Sequence, residues 1–299
     1  MRIFVTGATG FIGSAIVPEL INAGHQVLGM ARTDDGARSL MAAGAQVHRG
    51  NLEDPKSLRA GAAGADGVMH LAFDHNFSKF AANCEKDRRA IDALGAALAG
   101  SNRPLVITSG TGMGSAVPGQ PATEDVFNAK HPNPRSASEL AGAFLGAAGV
   151  NVSVVRLPQV HNTVKQGLIT PLIELARKKR LSAYVGDGSN RWPAAHVVDV
   201  ARLYRLALEK QTAGSRYHAV AEEGVPVRDI VEVIGRGLKL PVAAMSPEEA
   251  AAHFGWLAMF AGLDMPASSA QTQERLAWRP TGPGLIADLE QMHWKGESK

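Results

Sequence analysis

Residues 3 to 13 read Ile3-Phe4-Val5-Thr6-Gly7-Ala8-Thr9-Gly10-Phe11-Ile12-Gly13, an apolar β-branched run that ends in a glycine-rich turn. A helical stretch, residues 11–23, follows at once. A pyrophosphate can lie on such a unit if the chain turns tightly at Gly7, exposes bare backbone at Gly10 and packs helix on strand at Gly13. The motif therefore predicts a dinucleotide-binding turn, and the alternative is a glycine turn without a ligand.

The residues beyond this motif alternate between strand-like and helix-like stretches. Further strands are expected at residues 26–30, 46–48, 67–71, 105–108 and 152–157, and further helices at residues 37–43, 78–99 and 134–148. This order predicts an α/β fold, a Rossmann-type doubly wound parallel sheet of six strands. Shorter pieces after residue 160 predict a smaller C-terminal substrate lobe. We expect a nucleotide-binding core at 1–160 and a substrate lobe at 161–299, with returning core elements, in one structural unit.

Composition excludes several classes of protein. The chain has 299 residues, 45% of them apolar, and 31 Lys and Arg against 28 Asp and Glu, so it can bury a sizeable core and is not a disordered chain. Basic runs are short and lack aromatics, which argues against nucleic acid. The lone Cys84 excludes an internal disulfide framework and a Cys-rich metal site, and no metal is expected. Without a signal peptide or a long apolar run, we expect no membrane span and a cytoplasmic location.

The residues after the second strand bear on the choice of cofactor. A carboxylate there binds the ribose hydroxyls of NAD, whereas a cation accommodates the 2′-phosphate of NADP. Arg32 and Thr33 stand at this place and predict NADP(H), and the alternative is that Asp34 or Asp35 reaches the ribose. Further cofactor contacts are expected from the turn and from the ends of the third and fourth strands: Thr9, Phe11, Ile12, Asn51, Leu52, Leu71, Ala72 and Phe73.

Taken together, the motifs resemble those of the extended short-chain dehydrogenase/reductase superfamily, in its NAD-dependent epimerase/dehydratase-like branch. The matching residues are 6–13, 51–54, 70–72, 108–110, 156–158, 186–188, Arg191, 196–197 and 199–200. The resemblance implies that the backbone at Leu157, Pro158 and Val160 holds the nicotinamide carboxamide, and it places Thr108 in the cofactor site. It also implies a homodimer formed through helices 78–99 and 134–148, and a small-molecule substrate.

The chain departs from this superfamily at the Tyr-x-x-x-Lys pair that moves the proton. The residues four positions after Tyr184, Tyr204 and Tyr217 are not lysines. In one register Arg135 replaces the tyrosine and Glu139 the lysine. The segment also resembles atypical members that carry His-x-x-x-Arg, with His131 and Arg135 as the pair.

Two prolines shape this segment. Pro132 and Pro134 disfavour helix before them, so the helix is expected to start after His131 with Asn133 as its N-cap. His131 is then the expected proton relay and Arg135 the group that holds the substrate or a developing oxyanion. A solvent-facing histidine and a surface Arg135–Glu139 ion pair are the alternatives.

Hydroxyl and substrate-side residues complete the expected site. Thr111, ahead of Ser109, is expected to polarise the reacting oxygen after the fifth strand, and the alternative for both is strand-end capping. The substrate-side residues are expected to be His161, Arg191, Trp192 and His196, and the alternative is that they pack inside the fold. An apolar stripe is expected to form either a lid or a core or subunit contact: Phe254, Trp256, Met259 and Phe260.

These expectations predict an NADPH-dependent reductase of a small, mainly apolar carbonyl or imine compound. A sugar-nucleotide epimerase or dehydratase is one alternative, although it would normally need Tyr-x-x-x-Lys. A catalytically reduced sensor of the NADPH/NADP ratio is the other, because the nucleotide fold can persist after catalysis is lost.

Overall fold

A computed structural model describes residues 1–117 and 119–294 of the chain. The first half alternates strand and helix as the sequence predicts. Its elements are β1 (Arg2–Thr6), α1 (Gly13–Asn22), β2 (Gln26–Ala31), α2 (Asp34–Ala42), β3 (Gln46–Arg49), α3 (Pro55–Ala63), β4 (Gly67–His70), α4 (Phe80–Leu98), β5 (Leu105–Gly110), α5 (Ser136–Ala147) and β6 (Val152–Leu157).

The second half consists of shorter elements. They are β7 (Gln159–His161), α6 (Ile169–Lys179), β8 (Ser182–Val185), β9 (Arg191–His196), α7 (Val197–Lys210), β10 (Arg216–His218), β11 (Glu222–Pro226), α8 (Val227–Leu238), β12 (Val242–Met245), α9 (Pro247–Phe254), α10 (Ala258–Ala261), α11 (Ala270–Leu276) and α12 (Leu285–Glu290).

The central sheet is parallel and has the order β10-β6-β5-β4-β1-β2-β3. The doubly wound α/β fold is thereby confirmed, and the expected six strands are β1 to β6. A seventh strand, β10, comes from the C-terminal half and pairs with β6, with Tyr217 opposite Val155. The chain therefore returns to the core sheet after residue 160.

Both faces of this sheet are buried because side chains alternate along each strand. In β1, Ile3 and Val5 pack with Leu20 of α1 on one face. Phe4 packs on the other face with Leu94 of α4. Helix α7 returns to pack against α1, while α3, α4 and α5 lie side by side on the opposite face.

The C-terminal half adds a second layer with its own apolar core. Strands β11, β9 and β7 form one small sheet, and β12 pairs with β8 in another. Trp192, Leu172, Ile230 and Phe254 are buried together between these strands and their helices. Only Pro158 separates β6 from β7, so this lobe stands next to the carboxyl ends of the core strands.

Neither a membrane-spanning helix nor a metal-binding cluster is found in the described part of the chain. No helix within residues 1–117 and 119–294 has both the length and the apolar character needed to cross a membrane. Over the same residues, no three His, Cys, Asp or Glu side chains are grouped so that they could hold a metal ion.

Candidate active site

The glycine turn between β1 and α1 is close-packed on its inner side. Gly7 has φ +69, and a Cβ there would lie 2.7 Å from the backbone nitrogen of Ala72. A Cβ at Gly13 would lie 2.1 Å from the carbonyl oxygen of Gly7. At Gly10 only the Gly7 oxygen, 3.1 Å away, comes within 4 Å. The turn thus needs glycine for its own shape, and it is open at Gly10, where a phosphate can approach the backbone.

The beginning of helix α1 adds donors to this turn. The helix has no side-chain cap and no acidic residue in its first turn. The N–H groups of Ser14 and Ala15 donate to the Gly10 and Ile12 carbonyls. Those of Ile12 and Gly13 have no acceptor among the described residues, and the helix dipole makes this end positive. Thr9 and Gly10 are exposed and Phe11 and Ile12 are half-buried at the rim. The site that the sequence predicted for a dinucleotide pyrophosphate has the geometry to hold one.

At the end of β2, Arg32 is exposed and makes no hydrogen bond or ion pair within the described part of the chain. The nearby carboxylates are engaged: Asp34 pairs with Arg49, and Asp35 pairs with Arg38. Thr33 accepts a hydrogen bond from the Gly36 backbone and caps α2. The Arg32 guanidinium is thus bound to no side chain among the described residues, although it is near enough to Asp74 to help lower the pKa of that carboxyl. Asp34 and Asp35, in contrast, have ion-pair partners.

The remaining predicted cofactor residues divide between rim and interior. Asn51 is exposed and accepts a hydrogen bond from the Glu53 backbone. Leu52 and Leu71 are half-buried against the core, and the Phe73 ring lies under the Arg135 guanidinium. These side chains follow the ends of β3 and β4 at the carboxyl edge of the sheet.

At two of the predicted cofactor positions, Thr108 and Val160, the side chain points into the core, which leaves the backbone for a cofactor. The Thr108 hydroxyl lies 2.7 Å from both the His70 carbonyl oxygen and the Tyr204 hydroxyl, inside the sheet–helix core. Val160 is buried in the same core cluster as Tyr204. Neither side chain is available to a cofactor, because strand residues alternate between the two buried faces. Leu157 and Pro158 are half-buried beside them.

Arg135 lies at the carboxyl edge of the sheet, just before α5. Its Nη1 donates to Asp87 Oδ2 at 2.6 Å and to Ser138 Oγ at 2.7 Å, and its Nη2 donates to the Thr108 carbonyl at 2.8 Å. The guanidinium stacks over the Phe73 ring, 4.2 Å from its centre. A planar cation is therefore held at a fixed place between β5 and the segment after β4.

Asp87, the partner of Arg135, is a buried carboxylate that the sequence analysis did not single out. It also accepts hydrogen bonds from Ser138 Oγ at 2.6 Å and from His70 Nε2 at 3.1 Å. Burial alone would raise the pKa of Asp87, yet Arg135 together with His70 and Ser138 holds this pKa well below its usual range. The carboxylate is therefore charged and serves as a fixed anchor. Its position within Glu85-Lys86-Asp87-Arg88-Arg89, which is typical of a solvated helix face, concealed this role.

His131 lies on the segment that leads into α5, as expected. Its Nδ1 accepts a hydrogen bond from the Asn133 backbone at 3.1 Å, which leaves Nε2 to carry the proton. Nε2 has no partner among the described residues. Partial burial lowers the pKa of His131. Helix α5 begins at Ser136, later than predicted, because Asn133 caps the preceding turn through the Arg135 backbone rather than the helix itself.

Glu139 is not a surface partner of Arg135. It is fully buried and binds Arg156 through two 2.8 Å hydrogen bonds, and Arg216 approaches it at 3.0 Å. Burial would raise the pKa of Glu139, but Arg156 together with Ser109 and Arg216 brings it below its ordinary value. The register in which Glu139 stands for a lysine beside the cofactor therefore has no support in the geometry, since its carboxylate lies in the interior.

The two hydroxyls expected after β5 lie in different surroundings. Ser109 is buried on the face of the sheet that carries Arg156, its register partner, and helps to lower the pKa of Glu139. That face is the interior, so Ser109 is corrected to a core residue. Thr111 begins a 3-10 turn at the carboxyl end of β5 and makes no side-chain hydrogen bond within the described residues. It remains the candidate hydroxyl of the site.

Two residues that were expected to contact the substrate, Trp192 and His161, are buried instead. Trp192 is fully buried in the core of the C-terminal lobe and forms no wall of a cleft. His161 is also fully buried, with Nδ1 at 2.6 Å from Asp288 Oδ2. Both occupy strands of the small sheet whose two faces are covered, so they pack inside the fold. Burial lowers the pKa of His161 in spite of the Asp288 carboxylate.

Arg191 and His196 are likewise bound to their own surroundings. Arg191 forms a two-pronged ion pair with Asp264 and donates to the Gly119 carbonyl at 3.2 Å. His196 caps α7 by accepting from the Val198 backbone. Arg191 keeps an exposed edge, whereas His196 is corrected to a helix cap.

An aromatic cluster covers the Arg135 side of the site. Phe77 stacks on Trp256 with ring centres 4.4 Å apart and an angle of 6° between the planes. Phe77 also contacts Phe80 and Phe260. The predicted lid stripe therefore divides, because Phe254 and Phe260 are core residues whereas Trp256 and Met259 are largely exposed. The segment after β4 thus meets the C-terminal lobe through stacked rings.

Comparison with known proteins agrees with this architecture. The model of the NAD dependent epimerase/dehydratase family matches residues 3–221. An uncharacterized protein of Schizosaccharomyces pombe is 47% identical over 290 residues, which are 97% of this chain and 98% of that protein. The 2-alkyl-3-oxoalkanoate reductase of Stenotrophomonas maltophilia is 30% identical over 249 residues, 77% of this chain and 74% of that enzyme. In fold, the chain is similar to dTDP-glucose 4,6-dehydratase DesIV of Streptomyces venezuelae, solved with NAD and TYD bound, with a TM-score of 0.77, 18% identity and coverage of 98% and 95%.

Proposed function

Because this chain belongs to the NAD-dependent epimerase/dehydratase family of the extended short-chain dehydrogenase/reductase superfamily, we propose that it is a reductase that uses NADPH. Its substrate is a small, mainly apolar carbonyl or imine compound. The observation that supports the cofactor choice is Arg32 at the end of β2, an exposed cation with no hydrogen bond or ion pair among the described residues. The Asp74 carboxylate, whose pKa Arg32 helps to lower, is itself paired with Lys86. A cation at this position is suited to a 2′-phosphate. The ion pairs of Asp34 and Asp35 support this choice, because these are the carboxylates that would favour NAD.

The cofactor supplies hydride from nicotinamide C4, and the protein has to place the substrate and provide a proton. Arg135 polarises the substrate oxygen, with Thr111 as a hydroxyl donor on the same edge of the sheet. His131 donates the proton from Nε2 as imidazolium, which forms when Nδ1 takes up a proton and releases the Asn133 backbone. The aromatic rings at Phe77 and Trp256 favour an apolar substrate over a sugar nucleotide.

A reductase uses a proton donor once, whereas an epimerase or dehydratase first needs a base that removes a proton from a hydroxyl. No tyrosine of the chain has a lysine four positions later. Tyr184 packs on the core of the C-terminal lobe, Tyr204 is buried at Thr108 and Tyr217 lies in β10. This geometry favours the reductase over the epimerase. The free Thr111 hydroxyl and the accessible His131 favour it over a sensor that has lost catalysis.

A homodimer in the cytoplasm is part of the proposal. Leu140 and Phe144 lie one turn apart on α5 and are exposed by 41% and 73%. Such an apolar pair on one helix face is suited to cover its counterpart in a second copy. The unpaired, buried Cys84 is compatible with a reducing compartment. A single monomeric species in sedimentation velocity would contradict the dimer.

The experiment that tests the function is a titration of the purified protein with NADPH, followed by nicotinamide fluorescence. Aldehydes, ketones, imines and quinones are then added to the same sample. We expect saturable binding and then loss of the reduced-nicotinamide signal with at least one of these classes. Binding without any loss would support the sensor or the epimerase, and absence of binding would refute the assignment of the glycine turn.

A further inference from the structure

A continuous line of buried hydrogen bonds joins the glycine turn to Arg135. It runs from Thr6 through His70 and Asp87 to the guanidinium. We propose that this line couples dinucleotide binding at the turn to the position of Arg135, and that His70 and Asp87 are positioning residues for the reaction. The inference rests on the proposed function, because it presupposes a dinucleotide at the turn and a substrate at Arg135.

The first link is the hydroxyl of Thr6, the residue that precedes Gly7. Its Oγ1 lies 2.7 Å from Nδ1 of His70 and accepts a hydrogen bond from the Ala72 backbone at 3.3 Å. The Asp87 carboxylate can only accept, so His70 Nε2 carries a proton, and in the neutral ring Nδ1 then accepts from the Thr6 hydroxyl. A shift of the glycine turn would therefore be felt at the imidazole.

The second link is the imidazole of His70. With Nδ1 as acceptor, the neutral ring carries its proton on Nε2, which donates to Asp87 Oδ1 at 3.1 Å. His70 and Asp87 are both 1% exposed. With the ring neutral, each of these groups has a hydrogen-bond partner, and no water is needed to complete the line.

The third link is the carboxylate of Asp87. Its Oδ2 accepts from Arg135 Nη1 and from Ser138 Oγ, each at 2.6 Å. The guanidinium is also held by the Thr108 carbonyl and by the Phe73 ring. A buried carboxylate cannot exchange its cation for water at low cost, so the position of Asp87 determines the position of Arg135.

Two different roles for this line are less well supported. Thr6, His70 and Asp87 are in the order of a nucleophile, a base and an orienting acid, but Thr6 has no exposed surface, so no substrate can reach its hydroxyl. The line could also serve stability alone. If the line served stability alone, changes at Thr6 and at Arg135 would have independent, additive effects on ligand binding.

A double-mutant cycle separates coupling from stability. Thr6→Val removes the hydroxyl at one end and keeps the shape, while Arg135→Lys keeps the charge at the other end and removes the fork. The dissociation constant of NADPH is measured by nicotinamide fluorescence for wild type, both single variants and the double variant. We expect each single change to weaken binding by about fivefold and the double variant to be no more than about twofold weaker than either.

Three further variants keep the test decisive. Thr6→Ser retains the hydroxyl and should therefore bind NADPH with wild-type affinity. In this background Arg135→Lys should weaken NADPH binding as much as it does in the wild type. Ser138→Ala removes the other donor to Asp87 and replaces Arg135→Lys if that variant does not fold. Glu139→Gln is the matched control, since it alters a buried, arginine-paired carboxylate on α5 outside this line. It should lower the melting temperature and leave the NADPH dissociation constant unchanged.

The outcomes are distinct. An effect of Thr6→Val that is the same in the wild type and in the Arg135→Lys variant would overturn the coupling while NADPH binding by the wild type stands. Weakening by Glu139→Gln as large as that by Thr6→Val would likewise overturn it, because general loss of stability would then explain both. A wild type that binds neither NADPH nor NADH refutes the proposed function itself, and the coupling with it.

Discussion

Glu139 of α5 and Arg156 of β6 form a fully buried ion pair in which two 2.8 Å hydrogen bonds join guanidinium and carboxylate. The remaining guanidinium donors are used by the Thr123 and Val126 carbonyls and by His218. This pair anchors the helix that follows Arg135 to the central sheet. Helix α5 is therefore fixed to the core through Glu139, while the Arg135 side chain, which precedes the helix, is held separately by Asp87 and the Thr108 carbonyl.

The first prediction concerns this pair. Glu139→Ala should lower the free energy of unfolding by about 3–5 kcal/mol, because Arg156 would remain buried without its counter-charge. Urea denaturation followed by circular dichroism measures the change. Glu232→Ala, at an exposed site on α8, is the control and should stay within about 0.5 kcal/mol of wild type. A loss below about 1 kcal/mol for Glu139→Ala would contradict this assignment.

The second prediction concerns the cofactor. Arg32→Glu should weaken NADPH by at least about tenfold and NADH much less, since a phosphate partner is replaced by a repelling charge. Fluorescence titration with both nucleotides gives the ratio of affinities. Arg59→Glu makes the same change of charge at an exposed position on α3 and should leave that ratio unchanged. An unchanged ratio in Arg32→Glu would refute the choice of NADPH.

The third prediction concerns the proton. The acid form of His131 is needed, and burial lowers its pKa. Turnover should therefore fall as pH rises through a pKa below the ordinary histidine value of 6.5. His131→Asn should lower kcat by about a hundredfold, leave the NADPH dissociation constant unchanged and abolish this limb of the pH profile. Retention of the same limb in His131→Asn would exclude His131 as the donor.

The fourth prediction concerns stability against pH. Burial and the positive charge of Arg156 lower the pKa of His218 from 6.5 to about 4. Between these values the unfolded chain binds more protons than the folded one, so the free energy of unfolding rises with pH. On acidification from 6.5 towards 4, the contribution of His218, on the order of 3 kcal/mol, is progressively lost.

Urea denaturation across this pH range tests that dependence. His218→Gln offers an acceptor to Arg156 and a donor to the Ser268 carbonyl, and should flatten it. His293→Gln, at an exposed position, is the control and should keep the wild-type slope. A slope in His218→Gln equal to that of wild type would place the pH dependence elsewhere.

Much of the core could be predicted because its signals are local. The β-branched runs of β1 to β6 and the glycine spacing at Gly7, Gly10 and Gly13 act within a few residues of one another. Strand β10 was missed because Arg216–His218 is three residues long and polar at both ends. Only its place beside β6 makes it a strand.

The site was harder to predict, because burial on both faces of the small sheet is a tertiary property. Trp192 and His161 are of residue types that often line binding sites, yet in the structure they are core residues. Asp87 lies in a charged stretch that is typical of an exposed helix, yet it is nearly inaccessible to solvent. No local pattern distinguishes these cases, since the neighbours that bury them come from distant parts of the chain.

The most direct test of the central claim is transfer of deuterium from NADPH labelled at nicotinamide C4, supplied as both stereoisomers, to a small carbonyl or imine substrate. Mass spectrometry of the product is the measurement. The account predicts that the product from one of the two isomers carries the deuterium at the reduced carbon and that an equal amount of NADP forms. Conversion of the substrate with no deuterium in the product and no net oxidation of NADPH would contradict it.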